Sequence, residues 1–166
     1  MMPNKLPEPI PLALATAKME PLIALHRHFM AANKMRILFE QAFADPQKWN
    51  RFPDAAPLEK FMLMHADDYG IFMFYWYSGL YVVIEGFQEL KLKDQKIESL
   101  LQSPNTDALR LIRNATFHFQ KEFFSPKMAS FMASKDSVPW VFALTEAFSG
   151  FFLTEMPKLT QNEKKA

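Results

Sequence analysis

Apolar residues recur at three- and four-residue steps through most of the chain, a spacing that predicts helices. Leu22, Leu25, Phe29, Ala32, Phe39 and Phe43 form one such stripe and predict a first helix over 18–44. Asp45-Pro46 ends it, because the residue before a proline disfavours α geometry. A loop follows with Pro46, Pro53 and Pro57 and the mostly polar run 47–51. The second helical region is expected to start at Pro57, a favourable first helical position, and to extend to about Leu90. Its middle is apolar on nearly every side, so it should be the central element of a bundle. Gly70, Gly79 and Gly86 lie within it, and each weakens a helix by about 1 kcal/mol relative to Ala. They imply either a bend or a close helix–helix approach, inside the bundle or across a dimer seam.

Shorter patterns follow. A helix over 94–102, capped by Asp94, would turn Ile97, Leu100 and Leu101 inward. After the break Ser103-Pro104-Asn105-Thr106, either Asn105 or Thr106 is expected to cap a helix starting at Asp107, where an acid suits the positive end of the dipole. Leu109, Ile112, Ala115, Phe119 and Phe123 carry that helix to about residue 124. Ser125-Pro126 opens a minor helical turn through Met132. The last helix should begin near Val138 or Pro139, bury Val141, Leu144, Phe148, Phe151 and Phe152, and close by Pro157. These patterns predict an all-α, up-and-down helical bundle of four to five main helices with one short extra helix. The expected organisation is a flexible, Pro-rich lead-in over 1–15, one helical-bundle domain over 16–160 and a polar tail over 161–166. No internal repeat, Gly-rich phosphate loop or long heptad series interrupts this reading.

Composition narrows it further. The chain has 166 residues, near the usual size of one domain, and 49% of them are hydrophobic, enough for a substantial core. Seventeen Phe and 11 Met supply bulk and flexible filler. The absence of Cys excludes disulfides, thiolate nucleophiles and Cys-ligated zinc, and fits a reducing, cytoplasmic setting. A net charge of +1 gives no global attraction to nucleic acid. Pro3, Pro7, Glu8, Pro9 and Pro11 make the first residues unlike a secretory signal. The most apolar stretch, 71–84, is too short to cross a bilayer and is flanked by Asp67, Asp68 and Glu85, so no membrane association is expected.

Candidate chemistry concentrates in Arg113-Asn114-Ala115-Thr116-Phe117-His118. Arg keeps its charge and grips phosphate oxygens bidentately, while His titrates near neutrality and can act as base or acid. On one straight helix, five residues at about 100° each leave Arg113 and His118 roughly 140° apart, with a rise of about 7.5 Å. They would not share a face, whereas Asn114 and His118 would. A joint role therefore needs a distorted helix, the reach of the long Arg side chain, or a second copy of the motif opposite the first.

Arg113, Asn114 and His118, late in an all-helical chain, resemble the signature of the HEPN superfamily (higher eukaryotes and prokaryotes nucleotide-binding). That signature is an Arg, usually followed by a polar residue, with a His four to six positions further on. The resemblance covers the motif and the helical layout of about residues 18–158. It implies a metal-independent endoribonuclease, needing no cofactor, in which a homodimer brings two motifs together on an RNA substrate. Arg113, His118 and Asn114 would be the catalytic residues, with Asn114 orienting the His118 ring or donating to phosphate. It also implies a setting in bacterial defence or a toxin–antitoxin pair, with an antitoxin or defence-system partner. Other members have lost catalysis, so a non-catalytic dimerisation or nucleotide-binding module is the alternative. A small-ligand-binding bundle is a third reading.

The remaining polar groups have plainer accounts. His26 and His28, two apart, point to different faces and make a poor metal pair. His65 with Asp68, three apart, and Asp67 nearby could supply two ligands of a metal site, but a simple polar helix face is the plainer account. Glu85 and Glu89 share a face; they either hold Arg113 or polarise His118, or form an ordinary solvated face near Lys91 and Lys93. The aromatic run Phe72, Phe74, Tyr75, Trp76, Tyr77 and Tyr81 lacks interleaved cations and reads as core rather than a base-stacking surface. Lys34 with Arg36, and Lys91 with Lys93 and Lys96, are the only basic clusters that could track an RNA backbone.

Overall fold

A computed structural model of the chain describes residues 20–44, 68–121 and 125–163. They form six helices: α1 (Pro21–Phe43), α2 (Asp68–Glu89), α3 (Gln95–Leu101), α4 (Asn105–Phe117), α5 (Pro126–Ala133) and α6 (Ser137–Glu163). The protein is an all-α bundle, and no strand occurs among the described residues. The expected lead-in over 1–15, the proline-containing loop and the start of the second helical region at Pro57 lie outside the described residues. None of the described helices is long and apolar enough to cross a membrane.

Glu20 caps α1 by accepting the Ile23 N–H at 3.0 Å. The stripe does what its spacing predicts, burying Leu25, Phe29, Ala32 and Phe39. Phe43 stays half exposed and stacks on Phe39 and Tyr69. The central α2 buries Trp76, Leu80, Val83 and Ile84. It runs antiparallel to α1, as the Tyr69–Phe39 and Gly79–Ala32 pairings show. It is parallel to α6, where Trp76 meets Phe142 and Phe87 meets Phe151. Trp76 also donates its indole N–H to Thr145 Oγ1 at 3.3 Å, which satisfies a buried donor in the core.

Gly79 and Gly86 of α2 mark close approach inside the bundle. A methyl group at Gly79 would lie 3.0 Å from Ala32 Cβ, and one at Gly86 would overlap Leu25 Cδ1. What these positions lose in helix propensity is offset by letting α1 come near. Helix α2 ends without glycine: Lys91 takes a left-handed φ of 52°. Its N–H donates to the Gln88 carbonyl and that of Leu92 to the Phe87 carbonyl, closing the orphan carbonyls of the last turn.

Three boundaries differ from the sequence expectation. Helix α4 starts at Asn105, two residues before Asp107, and neither Asn105 nor Thr106 caps it. Instead, Asn105 N–H donates to Ser103 Oγ and Thr106 Oγ1 donates to the Leu101 carbonyl, tying the turn to α3. It stops at Phe117 rather than near residue 124. The four residues Thr116, Phe117, His118 and Phe119 are all weaker helix formers than Ala. Phe119, expected inside, is 93% exposed, so no burial extends the helix. Helix α6 continues through Pro157 to Glu163, into the expected tail. Pro157 deprives the Leu153 carbonyl of its helical donor, but Leu153 is 75% exposed and water can replace it. Asp94 caps α3, accepting the Ile97 N–H at 2.9 Å, as expected.

Candidate functional site

The Arg113 side chain lies on the outer edge of the α2–α4 seam. Those helices run antiparallel, so ascending positions on α2 meet descending positions on α4. Tyr75 packs edge-on against Phe117, with ring centroids 5.8 Å apart. Next along the seam, buried Ser78 donates to Thr116 Oγ1 at 2.9 Å, and Thr116 donates in turn to the Ile112 carbonyl at 2.8 Å. One turn further on, the Arg113 guanidinium covers the Tyr81 ring, with Cζ 5.5 Å from the centroid. Arg113 Nη2 then forms an ion pair with Glu85.

Arg113 is therefore held on several sides. Nη1 donates to Asn114 Oδ1 at 3.0 Å. Its Nε is buried and lacks a hydrogen-bond partner among the described residues. The side chain remains 25% exposed and that of Glu85 41%, so the pair faces solvent on one side. Burial pushes the Tyr81 phenol up, and the Glu85 charge adds to this, while Arg110 and Arg113 pull it down. Beside this group, Asp107 accepts from both Lys127 and Arg110. Those hydrogen bonds, with Lys127 first, hold its carboxyl below the usual range.

His118 is placed differently. It is the residue that leaves α4, with extended backbone (φ −127°, ψ 136°) and its N–H donating to the Asn114 carbonyl at 2.9 Å. Its imidazole is exposed and has no hydrogen-bond partner among the described residues. Phe117 and Phe119 on either side of it are also exposed, and Ile71 and Tyr75 extend an apolar patch along α2. So the structure joins Arg113 to Asn114, Glu85 and Tyr81 but leaves the His118 ring outside that group. The side-chain oxygen of Asn114 accepts from Arg113 at 3.0 Å, so in this structure Asn114 contacts the guanidinium rather than the His118 ring. No family model, characterised protein or solved structure matches the chain.

Of the two offered readings for Glu85 and Glu89, Glu85 holds Arg113 and Glu89 is exposed. Tyr81 was read from the sequence as core; it is the platform under the guanidinium. Its i, i+4 spacing to Glu85 was the available signal. Asp107 was expected only as an acid suited to the helix start. Its pair with Arg110, three residues on, was open to a spacing argument, whereas its pair with Lys127 of α5 depends on the chain turning back. His26 packs its ring on Phe152, at 4.9 Å between centroids, and His28 is exposed. His65 and Asp67 lie outside the described residues. Among those described, no group of three His, Asp or Glu side chains is placed to hold a metal ion. The basic clusters are partly neutralised, Arg36 by Glu40 and Lys93 by Glu98.

Proposed function

We propose that the chain is a HEPN-type, metal-independent endoribonuclease acting as a homodimer, with Arg113 gripping phosphate and His118 transferring protons. One observation carries this reading: His118 is exposed and unpartnered among the described residues just beyond α4, a helix that also carries a guanidinium held in place by Glu85, Asn114 and Tyr81. The exposed patch of Ile71, Tyr75 and Phe117 beside His118 supports an interface between two copies there. In such a dimer each groove would receive an Arg113 and a His118 from both chains. A His118 imidazole takes the 2′-OH proton and the 2′ oxygen attacks phosphorus. The bond to the 5′ oxygen breaks, and that oxygen takes a proton from the second, protonated His118. The products are a 2′,3′-cyclic phosphate and a 5′-OH, and the required 2′-OH restricts the reaction to RNA. Arg113 exchanges Glu85 for phosphate oxygens and balances the added negative charge of the transition state.

The reading is tested with purified protein and single-stranded RNA in EDTA. Wild type should cleave and leave cyclic phosphate ends, and His118→Ala should not. Arg113→Lys should also fail, since a point charge cannot replace the planar fork. Cleavage persisting in His118→Ala would sink the mechanism. A second reading draws on the Glu85–Arg113 pair itself, which already satisfies the guanidinium within one chain. A non-catalytic dimerisation or nucleotide-binding module would show RNA or nucleotide binding, lost in Arg113→Ala, with no cleavage by wild type.

A further inference from the structure

A cavity of about 390 Å³ opens between α1, α2, α5 and α6, away from every residue of the α2–α4 site. Phe39, Met73, Met132 and Phe142 supply much of its wall, and its volume falls in the range of small-molecule pockets. Rings and thioethers from four helices make a surface that adapts to a flat apolar guest.

Tyr69, Tyr77 and Ser137 bring hydroxyls to this otherwise apolar lining, and Ser137 already donates to the Ser134 carbonyl. Tyr77 lines the cavity although the residue is only 1% exposed; no hydrogen bond of its hydroxyl occurs among the described residues, and the hydroxyl is not one of their fully buried, unpartnered atoms. The Tyr77 hydroxyl is therefore not sealed into the core, and a molecule bound in the cavity could accept a hydrogen bond from it. The phenol keeps its proton, because burial and the neighbouring Tyr69 raise it well above the ordinary tyrosine range. It therefore offers a donor. Charge at the rim comes from Glu40, already paired with Arg36, so among the described lining residues neither an anion nor a cation finds a free counter-charge.

We propose that this cavity binds a neutral, mostly apolar small molecule bearing one carbonyl-type acceptor, with the Tyr77 hydroxyl donating to that acceptor. The site is independent of the ribonuclease reading and stands or falls apart from it.

The probe is 6-propionyl-2-dimethylaminonaphthalene, a neutral aromatic ketone whose fluorescence reports both apolar surroundings and hydrogen bonding to its carbonyl. Naphthalene, added as a competitor, measures affinity without an acceptor. Wild type should bind the ketone saturably at one site. Tyr77→Phe keeps the ring and should weaken the ketone roughly five- to tenfold, the worth of one hydrogen bond, with a blue shift of the bound emission. Competition by naphthalene should be as tight as in wild type. Val138→Trp, at a lining position that is 45% exposed, should fill the mouth and abolish binding of both without unfolding the chain. Absence of saturable binding by wild type overturns the proposal, as does unchanged ketone affinity in Tyr77→Phe. Unchanged binding in Val138→Trp overturns it too, and this surface variant decides the matter should Tyr77→Phe fail to fold.

Discussion

Three glycine-to-alanine substitutions separate close helix approach from mere helix weakness. Alanine gains about 1 kcal/mol over glycine inside a helix when nothing opposes it. At Gly150 a new methyl group meets nothing within 4 Å. Gly150→Ala should therefore stabilise by about that amount, raising Tm by roughly 2–4 °C for a chain of this length. At Gly79 the same methyl lies 3.0 Å from Ala32 Cβ and 3.3 Å from Ala32 Cα. The second atom is backbone, so α1 and α2 must part, and overpacking of this kind costs about 1–3 kcal/mol. After the propensity gain, Gly79→Ala should be neutral to about 2 kcal/mol destabilising. Gly86→Ala should fall between the other two, because its obstacle is the end of the Leu25 side chain, itself buried. Urea denaturation gives all three midpoints with a common slope if the transition stays two-state. If Gly79→Ala stabilises as much as Gly150→Ala, the close α1–α2 contact is not there. The double variant Ala32→Gly with Gly79→Ala should also recover part of the loss, since the two positions share one contact.

Glu85→Gln removes the charge beside Arg113, and the part-exposed pair is worth up to about 1 kcal/mol. A small fall in Tm should come with tighter RNA binding and a salt dependence steeper by about 0.7 in log–log slope; an unchanged slope would mean that Arg113 is no phosphate contact. Alkaline pH should destabilise the fold, because burial pushes Tyr69 up to about 12 and raises Tyr77 as well. Folded pKa values above the unfolded one of about 10 contribute stability below pH 10 that is lost as pH rises through that window. The urea midpoint should thus hold to about pH 9 and fall by pH 11, less so in Tyr69→Phe; a flat midpoint would contradict the burial of these phenols. Lys91→Gly should stabilise by about 1 kcal/mol by relieving its left-handed backbone, measured by thermal unfolding, and a loss of stability would show that the Lys91 side chain matters more than its φ.

Local pattern made much of the fold legible. The spacing of Leu25, Phe29, Ala32 and Phe39 identified the buried face of α1, and Asp94 announced its helix by a side-chain bond that needs only three residues. What was not legible depends on residues far apart. Whether Gly79 bends a helix or admits another is decided by Ala32, a residue on the neighbouring helix. The end of α4 at Phe117 carries no glycine or proline; it follows from where burial stops, and the apolar character of Phe119 suggested the opposite. Pro157 misled in the other direction, since a proline on an exposed helix face can be tolerated once its orphaned carbonyl reaches water. The cavity was invisible because four helices contribute to it.

The same long-range contacts alter the chemical problem posed by Arg113 and His118. Their awkward angular separation assumed one continuous helix, and His118 lies just beyond the helix end. Helical period therefore no longer fixes its ring relative to the guanidinium. Charge is what remains to be overcome: Glu85 occupies one edge of the fork that would grip a phosphate. The magnitudes favour exchange. A part-exposed ion pair is worth about 0.2–1 kcal/mol, whereas hydrogen bonds to a charged group contribute about 1.5–3 kcal/mol each. An incoming phosphate that engages two Arg113 nitrogens can displace Glu85, while in its absence Glu85, Asn114 and Tyr81 keep the guanidinium in place. On the proposed reading Glu85 is a positioning residue, holding the fork at the edge of the α2–α4 seam at little cost to phosphate binding. Loss of its charge should change affinity and salt dependence before it changes the fold.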